Sequence, residues 1–273
     1  MSDGEPLPDD LAAALLASAG HRGPVGATLH FLSETTSTND VAARLADRGA
    51  PHGTTIVALA QTAGRGRFGR TWFSPPGAGL YVSVICRERM AAPLLTLAAG
   101  VALAEGIRRA TALPVEIKWP NDIVVTAGAV APRRRKLAGI LAEASTTAGG
   151  LQYVVLGFGI NLRAAAYPVS IADRATSIET ELGRVPDAGA VLAETLAALN
   201  ARVAQLARGQ RDEVLTRWRG LAPSAHGSMV RWETADGVAS GVTNGIDDTG
   251  ALLVRCRTGL HRIVAGEVEW EMA

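Results

Sequence analysis

The sequence predicts an α+β protein in which a mixed β-sheet flanked by helices is followed by a small β-barrel. In the larger part of the chain, β-rich runs and helical stretches follow one another without a regular βαβ alternation. This irregular order favours a mixed sheet over a doubly wound parallel one. From Ser224 onward, short β-like runs are separated by turn signals such as Asn244-Gly245, which is typical of a barrel of about five strands.

This change of pattern divides the chain into three parts. We place the main boundary near residue 223, directly after a short predicted helix. Residues 1–28 are then an N-terminal extension with one helix, residues 29–223 the larger domain, and residues 224–273 the barrel.

Five stretches have the periodicity and the end signals of helices. The first is Leu11–Ala19, which follows the capping candidates Asp9 and Asp10 and which Gly20 can end. The other four are Val41–Arg48, Leu94–Ala110, Asp187–Ala207 and Asp212–Arg219.

Apolar and β-branched runs bounded by turn residues predict the strands of the larger domain. They are Leu29–Leu32, Thr54–Ala60, Leu80–Cys86, Val115–Lys118, Ile123–Val125, Leu137–Ala144 and Tyr153–Phe158. The glycines of Gly157–Asn161 predict that the chain turns there, at the end of the last of these strands.

Composition excludes several classes of protein. The formal net charge of the 273 residues is +1, so neither nucleic acid nor a membrane surface is favoured as a partner. Cys86 and Cys256 lie far apart and the five histidines show no ligand spacing, so we predict no disulfide framework and no metal site. An acidic N-terminus and the lack of a long apolar run predict a soluble, cytoplasmic protein with no membrane segment.

The loop from Gln61 to Gly79 is the most informative segment. Three glycines and three arginines alternate between Gly64 and Arg70. Glycines let the backbone approach a ligand with free N–H groups, and arginines add permanently charged planar donors, so the loop predicts a phosphate-bearing ligand. It is not a P-loop, because Gly69 is followed by Arg70 and Thr71 rather than by Lys-Ser/Thr. The alternative is a solvated basic loop that touches RNA.

Lys118 stands at the end of a predicted strand, before Pro120 and the turn formers Asn121 and Asp122. A lysine aimed by such a rigid turn can stabilise the negative charge of a carboxylate that attacks a phosphate. The plainer interpretation is an exposed lysine before an ordinary turn.

Two further motifs are weaker. Ser37 and Asp40 have the spacing of a capping box, so Ser37 is predicted to cap a helix, and it can also face a pocket. Gly157-Phe158-Gly159 resembles half of a dinucleotide fingerprint, but no Gly-x-x-Gly helix start follows it. We therefore do not predict a Rossmann site.

Five motifs occur in a defined order along the chain. They are Ser-Thr-Asn at 37–39, Gly-Arg-Gly-Arg-x-Gly-Arg at 64–70 with Trp72 after it, Lys-Trp-Pro-Asn-Asp at 118–122, Lys-Leu-Ala-Gly-Ile-Leu at 136–141 and Gly-x-Gly-x-Asn at 157–161. Together they resemble the biotin–protein ligase family. The C-terminal stretch Gly245–Leu252 resembles the SH3-like domain of the same family.

The resemblance implies a fold and a reaction. The fold is a mixed sheet related to the class II aminoacyl-tRNA synthetase core, followed by an SH3-like barrel. The substrates are biotin and ATP, with Mg²⁺ accompanying the ATP. Biotin's carboxylate attacks the α-phosphate to give biotinyl-5′-AMP, and a lysine of a biotin carboxyl carrier protein or domain then attacks this anhydride.

The resemblance also implies residue roles, motif by motif. Lys118 bridges the biotin carboxylate and the α-phosphate, and Ser37 and Gln61 bond the ureido ring. The implied catalytic residues are Lys118, Arg67 and Arg70. The implied biotin-binding residues are Ser37, Thr38, Asn39, Gln61, Gly64, Arg65, Gly66, Arg67 and Lys118. The implied nucleotide-binding residues are Arg67, Arg70, Trp72 and Asn161.

The chain departs from some members of the family. These carry an N-terminal winged helix, whereas residues 1–28 have room for one helix, so we expect no sequence-specific DNA binding. Thr126–Arg135 is an apparent extra stretch, interpreted as a solvated basic turn rather than as a docking contact. Pairing of sheet edges into a homodimer stays open.

Three other functions compete with biotin ligation. A lipoate–protein ligase or octanoyl transferase shares the fold, but the complete motifs at 64–70 and 118–122 favour biotin. A non-catalytic biotin or nucleotide sensor is disfavoured because Lys118 and the loop arginines are all present. An RNA-binding module is disfavoured by the small net charge and by an aromatic content of 4%. We also expect residues 64–79 to be mobile without ligand and to become ordered when it binds.

Overall fold

The computed structural model describes residues 5–127, 133–235, 237–264, 266 and 268–270. In the larger domain the strands are β1 (Leu29–Leu32), β2 (Thr55–Ala58), β3 (Gly79–Cys86), β4 (Glu116–Lys118), β5 (Asp122–Ala127), β6 (Arg133–Thr147) and β7 (Gly150–Asn161). They form one sheet in the order β1-β2-β3-β7-β6-β5-β4. β1 and β2 are parallel and the other neighbours antiparallel, which confirms the predicted mixed sheet.

The helices are α1 (Asp9–Ala17), α2 (Ala19–Arg22), α3 (Thr38–Asp47), α4 (Leu95–Thr111), α5 (Ile178–Leu182), α6 (Ala188–Ala207) and α7 (Arg211–Leu221). The long helices α4 and α6 approach closely because Gly106 has no side chain: a Cβ there would lie 2.6 Å from the hydroxyl oxygen of Thr195. Leu103 and Leu199 are fully buried in this layer. Truncating such a residue, as in Leu103→Ala, is expected to destabilise the fold by about 2–5 kcal/mol.

The C-terminal strands form a second, antiparallel sheet. They are β8 (His226–Thr234), β9 (Gly237–Ile246), β10 (Leu252–Cys256), β11 (Gly259–Ile263) and β12 (Val268–Trp270), in the order β11-β10-β9-β8-β12. Burial alternates along β8, with Val230 and Trp232 facing inward and Met229 and Arg231 facing outward. The indole of Trp119 donates a hydrogen bond of 3.0 Å to the carbonyl of Gly250, so this sheet is fixed against the larger domain.

The chain changes from helices to the second sheet at the predicted place. α7 ends at Leu221 and β8 begins at His226. We therefore propose that the domain boundary lies near residue 223. Among the described residues, no helix combines the length and the apolar character that crossing a bilayer requires.

Three sequence predictions of where turns and helix ends lie are wrong. The chain does not turn at Gly157, because β7 continues to Asn161 and pairs with both β3 and β6. Gly20 does not end the N-terminal helical region, because it lies inside α2. The proposed basic turn Thr126–Arg135 is partly strand, since β5 runs to Ala127 and β6 starts at Arg133, and residues 128–132 lie outside the described part.

Candidate active site

Two adjoining cavities lie where the start of α3, the glycine-arginine loop and the turn after β4 meet strands β6 and β7. The first, about 300 Å³, is lined by the segments at 37–39 and 65–72 and, from the C-terminal domain, by Gly266, Val268 and Glu269. The second, about 230 Å³, extends toward Asn161 and Tyr167. We call them the first lobe and the second lobe. They share Arg70, Thr71, Trp72, Asp122, Lys136 and Arg174.

The start of α3 forms one wall of the first lobe. Ser37 occupies the capping position and is 2% exposed, yet its side chain makes no capping hydrogen bond. Gln61 caps the helix instead, since its carbonyl oxygen accepts from the backbone N–H of Thr38 at 2.9 Å. Its amide nitrogen donates to Ser74 at 3.1 Å. The predicted capping box is therefore wrong, because Gln61, from another segment, supplies the acceptor and Asp40 pairs elsewhere.

A polar network continues this wall into the sheet. The side-chain nitrogen of Asn39 donates to Glu143 on β6 at 2.5 Å, and its oxygen accepts from Ser83 on β3 at 2.6 Å. Gly157 on β7 makes room for this amide, since a Cβ there would lie 2.1 Å from the Asn39 oxygen. The first glycine of the Gly-x-Gly motif is thus required by packing inside a strand.

The glycine-arginine loop folds back on itself to form the opposite wall. The N–H of Gly66 donates to the carbonyl of Arg70 at 2.7 Å, and that of Trp72 donates to Gly64 at 2.9 Å. At the tip, Phe68 is 61% exposed and has a φ of 55°, in the left-handed region that side chains other than glycine rarely adopt. The guanidinium of Arg67 lies 4.8 Å from the centre of its ring.

The first two arginines of the loop are directed to different partners. Arg65 pairs with Asp40 at 2.5 Å and with Glu143 at 2.9 Å. Partial burial works against its charge, but these two carboxylates outweigh burial and raise the pKa of Arg65. Arg67 instead reaches across the lobe and donates to the side-chain oxygen of Asn121 at 3.2 Å. Asp40 and Glu143 therefore hold the guanidinium of Arg65, whereas Arg67 crosses the lobe to Asn121.

Trp72 forms the partition between the two lobes. Its indole lies on two glycines, Gly139 of β6 and Gly159 of β7, which are direct partners in the sheet. A Cβ at Gly159 would lie 2.4 Å from the indole nitrogen, and one at Gly139 would lie 2.9 Å from the ring. The ammonium nitrogen of Lys136 lies 5.1 Å from the ring centre, in the range of a cation–π contact.

The second lobe combines aromatic walls with positive charge. Phe73 and Tyr167 meet edge to face, with ring centres 6.2 Å apart. Arg134, Lys136 and Arg174 also line this lobe. Asp122 is the only acidic residue among the described residues that line it. Flat apolar walls beside a group of cations suit a ligand that has both an aromatic ring and phosphates.

Lys118 stands within this group of cations. Burial lowers the pKa of Lys118, and the charges of Lys136, Arg134 and Arg174 lower it further. Asp122, its direct neighbour across β4 and β5, opposes the shift. Burial is the main cause of this shift, and the neighbouring cations add to it, so the protonated form of Lys118 is disfavoured relative to a solvated lysine.

Lys136 is held at the junction of the two lobes. Its N–H donates to the carbonyl of Arg174 at 2.7 Å, and its carbonyl accepts from Thr176 at 2.9 Å. Its ammonium lies 2.6 Å from a carboxylate oxygen of Asp122. Asn161 supports the same segment, since its side-chain nitrogen donates to the carbonyl of Thr176 at 2.9 Å. The lysine that borders both lobes is therefore fixed through its backbone and its side chain.

The structure brings most of the predicted site residues together. Those that line the first lobe are Ser37, Thr38, Asn39, Gln61, Arg65, Gly66, Arg67, Arg70 and Trp72. Gly64 lies beneath the loop, where a Cβ would meet Ser74 at 2.6 Å, and Asn161 lines only the second lobe. Lys118 does not appear among the described residues that line either lobe.

Two residues of this site were missed by the sequence analysis. Lys136 lies within a quoted motif but received no role, although the chain has only two lysines, Lys118 and Lys136, among its 27 basic residues. That scarcity is a signal that could have singled it out. Glu143 lies outside every motif and has no comparable signal. Among the described residues, no group of three or more histidine, cysteine or acidic side chains is placed to hold a metal ion.

Comparison with known proteins identifies the family. The model described as the biotin/lipoate A/B protein ligase family matches residues 31–161, and that of the biotin protein ligase C-terminal domain matches residues 225–270. The biotin--[acetyl-CoA-carboxylase] ligase of Paracoccus denitrificans is 36% identical over 87% of this chain and 98% of its own length. The chain belongs to the biotin–protein ligases of this family. The family membership predicted from the five motifs is confirmed.

Other members of the family extend this likeness. The biotin--[acetyl-CoA-carboxylase] ligase of Mycobacterium tuberculosis is 34% identical over 88% of each chain. The structure of the biotin protein ligase from Aquifex aeolicus, in complex with biotin and ATP, superposes with a TM-score of 0.77 at 27% identity. It covers 90% of this chain and all of its own. The predicted fold, a class II synthetase-like core with an SH3-like C-terminal domain, is confirmed by these comparisons.

Proposed function

We propose that this biotin–protein ligase activates biotin with ATP and then transfers it to a lysine of a carrier protein. The observation that carries the proposal is the position of Lys136, at the junction of a polar lobe and a cationic lobe. Two anions must meet at that junction if a carboxylate is to attack a phosphate. A fixed cation between the two lobes lowers the cost of bringing them together.

The first lobe is suited to biotin. The ureido ring is neutral and both donates and accepts hydrogen bonds, and this lobe offers the Ser37 hydroxyl beside the Gln61 amide and the backbone of Arg65 to Arg67. Gln61 already bonds Thr38 and Ser74, which fixes which of its atoms face the start of α3. Ser37 is therefore the residue of this wall proposed to bond the ligand directly, with Thr38 and Asn39 bordering it.

The second lobe is suited to ATP. The adenine is proposed to lie between Trp72 and the aromatic pair Phe73 and Tyr167. The phosphates then fall among the cations nearest the junction. Arg67 and Arg70 face them from the loop, and Lys118 neutralises them from behind. Asn161 acts on this lobe by holding the carbonyl of Thr176.

The chemistry proceeds in two balanced steps. A carboxylate oxygen of biotin attacks the α-phosphorus, the bond to the bridging oxygen breaks, and pyrophosphate leaves with its electron pair. Lys136 lines both lobes and Lys118 is not among the described residues that line either, so we assign to Lys136 the bridging role that the resemblance implied for Lys118. In the second step the neutral amine of the carrier lysine attacks the acyl carbon, loses a proton, and AMP leaves.

Mg²⁺ is proposed to arrive with ATP. Magnesium is commonly bound by one or two carboxylates together with substrate phosphates and water. Asp122 fits that pattern, because among the described residues it is the one acid that the two lobes share. Such an ion would neutralise phosphate charge beside the attack, and Asp122 would hold it next to Lys136.

Biotin-dependent exchange of labelled pyrophosphate into ATP tests the first half-reaction, with lipoate and octanoate as parallel acids. Exchange with biotin alone is expected. Exchange with only lipoate or octanoate would retain the fold and replace the substrate. No exchange with any acid, in folded protein supplied with Mg²⁺, would contradict the proposal. Transfer of labelled biotin to a purified carrier domain then tests the second step.

A further inference from the structure

Glu143 links two segments that form opposite walls of the first lobe. One oxygen of its carboxylate accepts from Asn39 at the start of α3, at 2.5 Å. The same oxygen accepts from Arg65 of the loop at 2.9 Å, and the other oxygen lies 3.2 Å from the same nitrogen. From its place on β6, Glu143 therefore contacts the helix start and the loop at once.

The contact with Asn39 determines which way its amide faces. Because a carboxylate only accepts hydrogen bonds, the Asn39 nitrogen must face Glu143. The Asn39 oxygen then faces Ser83, which lies at 2.6 Å as a donor. Asn39 is 5% exposed, and its amide occupies the space that a Cβ at Gly157 would take. The acid thus fixes the residue next to Thr38 and, through it, the helix start.

The contact with Arg65 determines the position of the loop. Two carboxylates, from Asp40 and Glu143, hold the guanidinium from the outside of the cavity. Their combined charge is expected to keep this cation on its carboxylate partners, although Arg65 also lines the lobe. We infer that Glu143 is a positioning residue for biotin binding, which joins the loop to the helix start and so favours the arrangement of both walls that accepts the ligand. This inference rests on the proposed function.

A positioning role and a purely structural role of Glu143 predict different effects of its removal. Glu143 is 42% exposed in its side chain, so its removal has little effect on the core. Loss of positioning should weaken biotin binding and loosen the loop, while turnover at saturating biotin stays near that of the wild type. A purely structural residue would lower the melting temperature and the turnover together.

Three substitutions remove the link in stages. Glu143→Ala removes both contacts, Glu143→Gln keeps an acceptor for Asn39 but loses the charge that holds Arg65, and Asp40→Asn weakens only the Arg65 pair. The expected rise in the dissociation constant for biotin follows that order, from about tenfold for Glu143→Ala to about twofold for Asp40→Asn, the scale of partly exposed hydrogen-bonded pairs. Raising the salt concentration should weaken biotin binding in the wild type but less in Glu143→Gln.

Trypsin reports on the loop directly, because Arg65, Arg67 and Arg70 are potential cleavage sites. In ligand-free protein, Glu143→Ala and Glu143→Gln should be cut at these sites severalfold faster than the wild type. The matched control is Glu194→Gln: Glu194 is also 42% exposed and ion-paired to an arginine, Arg109, but lies on α6 away from both lobes. It should bind biotin and resist trypsin like the wild type.

Two sets of measurements decide the inference, the dissociation constant for biotin without ATP and the rate of loop cleavage. Weaker binding with faster cleavage at an unchanged melting temperature supports it. Wild-type values of both in Glu143→Gln would overturn it, and this variant decides if Glu143→Ala does not fold. A wild-type protein that binds no biotin would instead overturn the proposed function and this inference with it.

Discussion

The two lobes of the active site differ in how their polar groups are satisfied before any ligand binds. In the first lobe, the side chains pair with one another: Gln61 bonds Thr38 and Ser74, and Glu143 bonds Asn39. In the second lobe several cations lie together, and next to them burial and these neighbouring cations depress the pKa of Lys118. The hydrogen-bonding groups at the start of α3 thus satisfy one another, whereas the second lobe presents Arg70, Arg134, Lys136 and Arg174 with Asp122 as the one acid among the described residues that line it.

This difference matches the chemistry of the two proposed substrates. Biotin binds mainly through a neutral ring, so a prearranged set of hydrogen bonds reduces the entropy lost on binding. ATP brings several negative charges, so a group of cations that repel one another in the free protein releases that repulsion when the phosphates arrive. The reaction takes place at the junction, where Lys136 borders both lobes.

The largest effect is expected at the junction. Lys136→Met keeps the apolar stem and removes the charge, so biotin-dependent pyrophosphate exchange should fall by about 10²–10³-fold, the scale for loss of one preorganised charge donor in a transition state. Biotin binding alone should change much less. Lys118→Met, which removes a cation behind the phosphates, should reduce exchange less severely. If Lys118→Met were the more damaging of the two, the bridging role would return to Lys118.

The next effect concerns retention of the adenylate. Arg67 reaches across the first lobe to Asn121, so it is expected to close the cavity over the intermediate. Arg67→Ala should weaken retention of biotinyl-5′-AMP by about 1–3 kcal/mol, the range of a charge-assisted hydrogen bond. The release rate of labelled adenylate measures this loss. An unchanged release rate would show that the loop retains the adenylate without this arginine.

Two glycines on one strand allow the lobes to be perturbed separately. Gly157 lies under Asn39 and Gly159 lies under Trp72, two residues apart and therefore on the same face of β7. A Cβ at Gly157 should displace Asn39 and raise the dissociation constant for biotin, whereas one at Gly159 should displace Trp72 and raise the Michaelis constant for ATP. Each overpacking change is expected to destabilise the fold by about 1–3 kcal/mol.

Isothermal titration with biotin and exchange assays at varied ATP concentration measure the two effects. Gly220→Ala on α7 is the control, because a Cβ there meets nothing within 4 Å. If Gly157→Ala and Gly159→Ala affected both substrates equally, the two lobes would not be independent.

These glycines also show where sequence reasoning reaches its limit. The strands around them were predicted from apolar and β-branched runs, but Gly157–Asn161 was predicted to turn, because glycine inside a run usually interrupts it. In the structure the glycines are there because Asn39 and Trp72, from distant segments, need the space of a missing Cβ. Which side chains pack on a strand depends on the tertiary structure and cannot be predicted from the local sequence pattern.

The same limit separates the residues that were found from those that were missed. Motifs that are contiguous in sequence, such as Gly64–Arg70, placed most of the first lobe. Glu143 could not be singled out, since it is one of 26 acidic residues. Its partners Asn39 and Arg65 lie 104 and 78 positions earlier in the chain. Lys136 carried a usable signal in the scarcity of lysine, but its position between the lobes is visible only in the fold.

The smallest expected effect concerns the charge of Lys118 beside the second lobe. Because the folded state depresses the pKa of Lys118, the unfolded chain holds this proton more tightly. The contribution of Lys118 is therefore unfavourable at neutral pH, and stability is regained as the pH rises from the folded toward the unfolded pKa. At neutral pH the free energy of unfolding of Lys118→Met should equal or exceed that of the wild type. The difference should stay under about 1 kcal/mol because the site is partly solvated. This advantage should vanish in the alkaline range.

Melting temperatures of the ligand-free proteins across pH 7 to about 10, near the ordinary pKa of lysine, measure this difference. Inorganic pyrophosphate provides the complementary test, since a bound anion should stabilise the wild type more than Lys118→Met. A variant less stable than the wild type at every pH would mean that the lysine packs favourably in the free protein. The charge of Lys118 would then not be unfavourable in the free protein, and the contrast between the two lobes would be lost.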